Sequence, residues 1–87
     1  MPIDIYNKKT SERMEWLCDD SWELANQIDA LESWLKNRGK NLERNKYVAD
    51  IGFNIRAGAT GGGGVLSSKS MEIMGKIGMD LYFSGYG

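Results

Sequence analysis

The stretch that decides the fold is YVADIGFNIR at residues 47–56, followed by AGATGGGGVLSSKS at residues 57–70. Apolar residues alternate with other residues through the first of these segments, at Tyr47, Ala49, Ile51, Phe53 and Ile55. A period of two predicts a strand with one face buried and the other in water. The glycines then predict a loop, and the serines after it predict the N-cap of a helix at Ser67 or Ser68. We therefore expect a strand, a glycine loop and a helix in that order.

The segment before this strand carries a second periodic pattern. Apolar residues recur every three or four positions at Met14, Leu17, Leu24, Ile28, Leu31 and Leu35. This spacing predicts one helix over residues 11–38, with Gly39 as its left-handed cap. A break near residues 18–21 is the alternative, because DSWE at residues 20–23 resembles a capping box.

The remaining elements are short. Ile3 and Ile5 predict a strand over residues 2–6, and a last strand begins at Met79. The second helix has its apolar positions at Met71, Met74 and Ile77, and it ends at Gly78. Gly75 inside that helix costs about 1 kcal/mol relative to alanine, which predicts a short helix or a close neighbour.

These elements follow one another in the order β-α-β-α-β. We predict a small single domain over residues 1–87, of the α/β or α+β class. Its two helices should pack on a sheet of two to three strands.

Composition narrows the possible functions. The chain has 87 residues and a net charge of −1, which disfavours nonspecific nucleic-acid binding because that requires an excess of Lys and Arg. Cys18 is the single cysteine, so no disulfide can form within the chain. No segment is apolar enough to span a membrane. The sequence therefore predicts a cytoplasmic protein with no membrane partner.

Catalytic chemistry has little support. Histidine is absent, and a lone cysteine cannot form a zinc site. An enzyme would need Asp50, Glu72 or Asp80 as its acid–base group, and their spacing does not indicate one. We predict a protein that is not an enzyme and uses no metal or cofactor.

Three tryptophans occur in the predicted long helix. On a helical projection Trp16 and Trp34 lie on one side and Trp22 on the opposite flank, all off the leucine stripe. Either they complete the core from its edges, or they form an interface with a partner or a second copy of the chain. The basic residues after the helix either complement its dipole or form a patch for an acidic partner.

The main prediction is therefore a non-catalytic protein-interaction module. It would act as an inhibitor or regulator by covering a partner protein, in the manner of small phage-encoded inhibitors, and self-association into a homo-oligomer is a further expectation. The candidate partner-binding residues are Trp16, Trp22, Trp34, Lys36, Arg38, Lys40 and Arg44.

The alternative prediction is a phosphate- or nucleotide-binding protein. The glycine loop matches neither the Walker motif nor the dinucleotide fingerprint, but backbone N–H groups at a helix start can hold an anion. The candidate ligand-binding residues are Thr60, Gly61, Gly62, Gly63, Gly64, Ser67, Ser68 and Lys69. Asp50, Asn54 and Arg56 share the polar face of the strand, which is either a cleft lining or a solvated surface.

Overall fold

The computed structural model describes residues 3–17, 23–54 and 63–86. The elements in chain order are β1 (Ile3–Asn7), β2 (Arg13–Leu17), α1 (Leu24–Asn37), a 3-10 turn (Gly39–Asn41), β3 (Tyr47–Asn54), α2 (Ser68–Ile77) and β4 (Met79–Tyr86). The strands form one mixed sheet in the order β2-β1-β3-β4. Strand β1 runs antiparallel to β2 and β3, whereas β3 and β4 are parallel and connect through α2. The predicted α+β class is confirmed, with four strands instead of two to three.

Both helices lie on one side of this sheet. Their apolar side chains, such as Leu31 of α1 and Ile77 of α2, share one core with the strands. The covered face of the sheet is formed by Ile3, Ile5, Tyr47, Ala49, Ile51 and Met79. The open face carries the alternate residues, which are Asp4, Tyr6, Trp16, Val48, Asp50, Asp80, Tyr82 and Ser84. The molecule therefore has two layers, and the alternation in β3 decides which residues enter the core.

The prediction of one helix over residues 11–38 is wrong in its first part. Residues 13–17 form strand β2, and the helix begins at Leu24. The pairing of β1 with β2 contains a bulge, because Ile5 lies opposite Glu15 while Tyr6 lies opposite Arg13. The bulge leaves Met14 as the extra residue, so that Met14 and Leu17 both reach the core at a spacing of three. Apolar residues three positions apart are also typical of a helix, which is why the sequence predicted a helix here. The predicted capping box and Cys18 fall at residues 18–22, outside the described residues.

Gly39 has a different role from the predicted one. It begins the 3-10 turn with ordinary backbone angles, and Arg38 is the C-cap of α1. A Cβ atom on Gly39 would lie 2.8 Å from the ring of Trp34 and 3.0 Å from Leu35. Glycine is therefore needed here for close packing, which lets Trp34 enter the core with 8% of its surface exposed.

Helix α2 confirms most of its predicted features. The Ser67 hydroxyl caps it by accepting a hydrogen bond from the Ser70 N–H. Gly78 ends it in the left-handed region at φ 84°. Gly75 has open space where its Cβ would lie, so the helix is simply short. The predicted apolar position Met71 is exposed, and Ile73 is buried in its place. Neither helix of the described chain is long and apolar enough to cross a membrane.

Candidate interaction surface on the open face of the sheet

Strand pairing places four side chains in one row across the open face. The row runs Trp16, Asp4, Asp50, Tyr82, one residue from each strand. The aromatic residues at its two ends are 45% and 38% exposed, respectively. Asp4 and Asp50 lie directly opposite each other in an antiparallel pair. Like charges in that position repel each other, and the ion pair of Arg13 with Asp4 offsets part of this repulsion.

Each carboxylate of the row accepts a hydrogen bond from a side chain on the same face, and that of Asp4 is also an ion pair. The Arg13 Nε donates to Asp4 Oδ1 over 2.9 Å, and its guanidinium lies 4.0 Å from the centre of the Trp16 ring. The Ser84 hydroxyl donates to Asp50 Oδ1 over 2.8 Å. Arg13 shows what this surface can hold, since a carboxylate beside an aromatic ring suits a guanidinium.

A second row of side chains, formed by Tyr6, Val48 and Asp80, lies next to the first on the open face, and its central residue is buried. Val48 is 0% exposed although it lies on the open face, because Tyr6 and Asp80 flank it in the strand register. Burial, together with the neighbouring Tyr82 and Asp50, raises the pKa of the Tyr6 phenol above its usual value. Tyr6 therefore stays protonated and neutral at physiological pH.

Three lysines lie at the end of the Tyr6–Val48–Asp80 row. The Lys8 ammonium lies 5.9 Å from the centre of the Tyr82 ring. A hydrogen bond with the Tyr82 hydroxyl raises the pKa of Lys8, which keeps it charged. Lys8, Lys9 and Lys46 line an open depression beside Asp80. Both aromatic ends of the Trp16–Tyr82 row thus already contact a cation from the chain itself.

The three predicted tryptophans do not form one surface. Trp16 lies on the open face, in a strand and not in a helix. Trp34 is part of the core, which is the first of the two alternatives given for the tryptophans, so its ring is not available as a partner-binding surface. Trp22 falls outside the described residues. Gly39 explains why Trp34 is buried, since the space above this glycine accepts a ring that lies off the leucine stripe.

The predicted basic residues belong to the helix layer, on the other side of the sheet from Trp16. Lys36 is exposed in the last turn of α1, and Arg38 reaches Glu15 over 4.0 Å. Arg44 donates from Nη1 to the carbonyl oxygens of Gly75 and Lys76 over 2.7 and 3.1 Å, which caps the end of α2. Lys40 shares a shallow surface depression with Lys69 and Lys76. The four basic residues therefore do not form one surface with the Trp16–Asp4–Asp50–Tyr82 row.

The start of α2, predicted as the phosphate site, already holds an anion from the chain. The Ser67 N–H and the Ser70 hydroxyl both donate to Glu32 Oε2, each over 2.7 Å. The backbone and hydroxyl donors of Ser67 and Ser70 lower the pKa of Glu32 to about 2. A helix N-terminus favours a negative group, and Glu32 from α1 supplies one.

The other residues predicted to bind phosphate differ in their surroundings, and some of them are not described by the structure. Thr60, Gly61 and Gly62 fall outside the described residues. Gly63 has φ 107° and is exposed, whereas Gly64 packs so closely on α1 that a Cβ would lie 2.7 Å from Ile28 Cδ1. Ser68 is exposed, and Lys69 lies 3.9 Å from Glu72. In the described part of the loop, one glycine is therefore a packing residue.

The sequence patterns identified only two of the four residues of the Trp16–Asp4–Asp50–Tyr82 row. Asp50 was recognised on the polar side of β3, and Trp16 as a candidate interface residue. Asp4 and Tyr82 were missed, because only the strand register places them beside Asp50. In residues 3–17, 23–54 and 63–86, no three acidic or cysteine side chains are grouped so that they could hold a metal ion.

Comparisons were made with protein-family models, with curated proteins and with solved structures. No family model, no curated protein and no solved structure matches the chain.

Proposed function

We propose that this chain is a non-catalytic protein-interaction module that acts as an inhibitor or regulator, and that the open face of the sheet binds a basic segment of a protein partner. The observation that carries the proposal is the Trp16–Asp4–Asp50–Tyr82 row. Two carboxylates face each other between two exposed aromatic rings, on a face that neither described helix covers.

The opposed carboxylates supply the energetic argument. Arg13 already offsets part of their repulsion through its ion pair with Asp4, so the part that remains costs the fold less than about 1 kcal/mol, and a partner's cation beside Asp50 would reduce it further. The aromatic rings at either end attract the same kind of group, and a partner's cation would share or replace the contacts that Arg13 and Lys8 make with them. The contact of Arg13 with Asp4 and Trp16 is an internal example of this chemistry.

The charge of the row also selects the class of partner. Exposed aromatic side chains on a sheet can stack on nucleic-acid bases, but Asp4, Asp50 and Asp80 would repel the phosphates. A protein segment with arginine or lysine side chains satisfies both the acids and the rings.

The phosphate-binding alternative receives less support. In the described part of the glycine loop, the donors of Ser67 and Ser70 are engaged by Glu32. A phosphate would have to displace this carboxylate from the start of α2.

A titration followed by NMR tests the proposal. The labelled protein is titrated with the blocked peptide Ac-Gly-Arg-Gly-Arg-Gly-NH2 and, separately, with its glutamate counterpart at the same ionic strength. The arginine peptide should shift the amide signals of Asp4, Trp16, Asp50 and Tyr82, and the glutamate peptide should not. Asp50→Asn should weaken the shifts. Asp29→Asn, which removes the same charge from an exposed site on α1, should leave them unchanged.

The same variant separates binding from folding. Asp50→Asn keeps an oxygen for the Ser84 hydroxyl and removes the repulsion with Asp4, so its free energy of unfolding should rise by about 0.2–1 kcal/mol. Greater stability with weaker binding is expected of a functional residue. Shifts spread over α1 and α2, equal response to both peptides, or unaltered binding by Asp50→Asn would overturn the proposal.

A further inference from the structure

The two edges of the sheet are built differently. Strand β2, at one edge, has five residues, a bulge in its pairing, and charged side chains at Arg13 and Glu15. Strand β4, at the other edge, has eight residues and pairs with β3 without a bulge. Asp80 is its single charged residue, and it contains neither lysine nor proline. Short length, bulges and charges are how proteins protect an edge from pairing, so β2 is protected and β4 is not.

The outer side of β4 also presents apolar surface. In the part of the chain that the structure describes, no strand pairs with this side. Phe83 is 58% exposed near the middle of the strand, next to the exposed Tyr82. An unpaired row of backbone donors and acceptors beside exposed rings is a template for adding another strand.

We propose that β4 pairs with β4 of a second copy of this chain, antiparallel and about a two-fold axis at Tyr82. The pairing would join two four-stranded sheets into one sheet of eight strands, with all helices on the same side. It is argued from the backbone edge of β4 and shares only Tyr82 with the Trp16–Asp4–Asp50–Tyr82 row, so it does not rest on the proposed function.

The side-chain pattern of β4 is complementary to itself in this register. Tyr82 would lie opposite Tyr82 of the second copy, and Leu81 opposite Phe83, which covers the exposed ring. Asp80 would lie opposite Ser84, so that no two like charges meet. Apolar residues thus face apolar residues on the helix side, and polar residues face polar or aromatic ones on the open side.

Neighbouring registers fit less well. An axis at Phe83 would place Leu81 opposite Gly85, which has no side chain to pack against it. An axis at Leu81 would place Asp80 opposite Tyr82 and leave Ser84 and Gly85 unpaired. The axis at Tyr82 therefore follows from the sequence of the strand itself.

Disulfide trapping tests both the pairing and its register. The single native cysteine is removed by Cys18→Ser, and one new cysteine is introduced at Tyr82→Cys or at Asp80→Cys. Residues directly opposite in an antiparallel pair have Cα atoms about 4.5–5.5 Å apart, within reach of a disulfide. Two residues at position 80 would be about 13 Å apart, because four residues of strand separate them.

Under oxidised glutathione, Tyr82→Cys should form a covalent dimer several-fold faster than Asp80→Cys. A mixture of Asp80→Cys with Ser84→Cys should crosslink between the two variants. Far-UV circular dichroism checks that each variant keeps its fold, and sedimentation of the unmodified chain gives its mass over a range of concentrations. The mass should rise from 9.8 kDa towards twice that value as the protein concentration increases.

Two results would overturn the inference. One is a monomeric mass for the unmodified chain at every concentration, which needs no variant to fold. The other is crosslinking at equal rates from positions 80 and 82, which indicates random collision. The peptide titration can still succeed in either case, so the failure of one proposal is distinguishable from the failure of the other.

Discussion

The two faces of the sheet are made from the same strands but differ in what their side chains do. In β3, Ala49 and Ile51 point into the core, while Asp50 between them points to the open face. The covered face is tightly packed, and small changes of volume there should be costly. The open face places two carboxylates opposite each other and leaves two aromatic rings exposed. One face therefore forms the core, and the other presents charged and aromatic side chains that contact one another at the surface.

The largest expected change in the free energy of unfolding comes from replacing the buried Trp34, and the same replacement at the exposed Trp16 is its comparison. Trp34→Ala removes a core side chain and should lower the free energy of unfolding by about 3–5 kcal/mol, enough to unfold much of a small domain. Trp16→Ala removes a partly exposed side chain from the open face and should cost less than about 1 kcal/mol. Urea unfolding followed by far-UV circular dichroism measures both. Equal costs would contradict the division of the sheet into a covered and an open face.

A second comparison tests how α2 is held over the covered face. Gly78→Ala forces a side chain into the left-handed region and against the carbonyl oxygen of Asn45, and should cost about 1–3 kcal/mol. Gly75→Ala is the matched control in the same helix, where the new methyl meets open space. It should raise stability by about 0.5–1 kcal/mol. Thermal unfolding of the two variants measures these changes, and a loss of stability in Gly75→Ala would contradict the described environment of α2.

Local sequence patterns predicted the parts of the fold that depend on neighbouring residues. The alternation in β3 and β4, the Ser67 cap and the end of α2 at Gly78 are all local signals, and all are confirmed. Strand β2 was mistaken for a helix because its bulge changes the apolar spacing from two to three. A bulge depends on the partner strand, and β1 alone does not reveal it.

The candidate site was less predictable for the same reason. Asp4 and Asp50 lie 46 residues apart in sequence and become neighbours through strand pairing. Glu32 reaches Ser67 across 35 residues, so the sequence around the glycine loop gave no sign that an acid from α1 occupies the helix start. The sequence left Trp34 open between core and interface, because its burial depends on the close approach to Gly39.

A smaller effect than those of Trp34→Ala and Gly78→Ala is expected at the contact that joins the two helices above the covered face. The folded-state pKa of Glu32 is about 2, below its ordinary value of 4.5, so its stabilising contribution is present above pH 4.5 and disappears as the pH falls towards 2. Because Glu32 is partly exposed, solvent reduces this contribution to about 1 kcal/mol. Glu32→Gln should lose that amount at pH 7, and its stability should change less than that of the parent chain between pH 4.5 and 2.

Unfolding by urea at several pH values tests this prediction. Glu43→Gln removes the same charge from an exposed loop position and should cost less at pH 7. A pH profile of Glu32→Gln that parallels the parent chain would show that Glu32 does not hold the start of α2.

The most direct test of the two-faced sheet is the solvent accessibility of individual tryptophans. Two single-tryptophan variants are compared by acrylamide quenching. One keeps Trp16 by Trp22→Phe and Trp34→Phe, and the other keeps Trp34 by Trp16→Phe and Trp22→Phe. The account predicts red-shifted, readily quenched fluorescence from Trp16 and blue-shifted, protected fluorescence from Trp34. Similar quenching of both, or protection of Trp16 with exposure of Trp34, would contradict it.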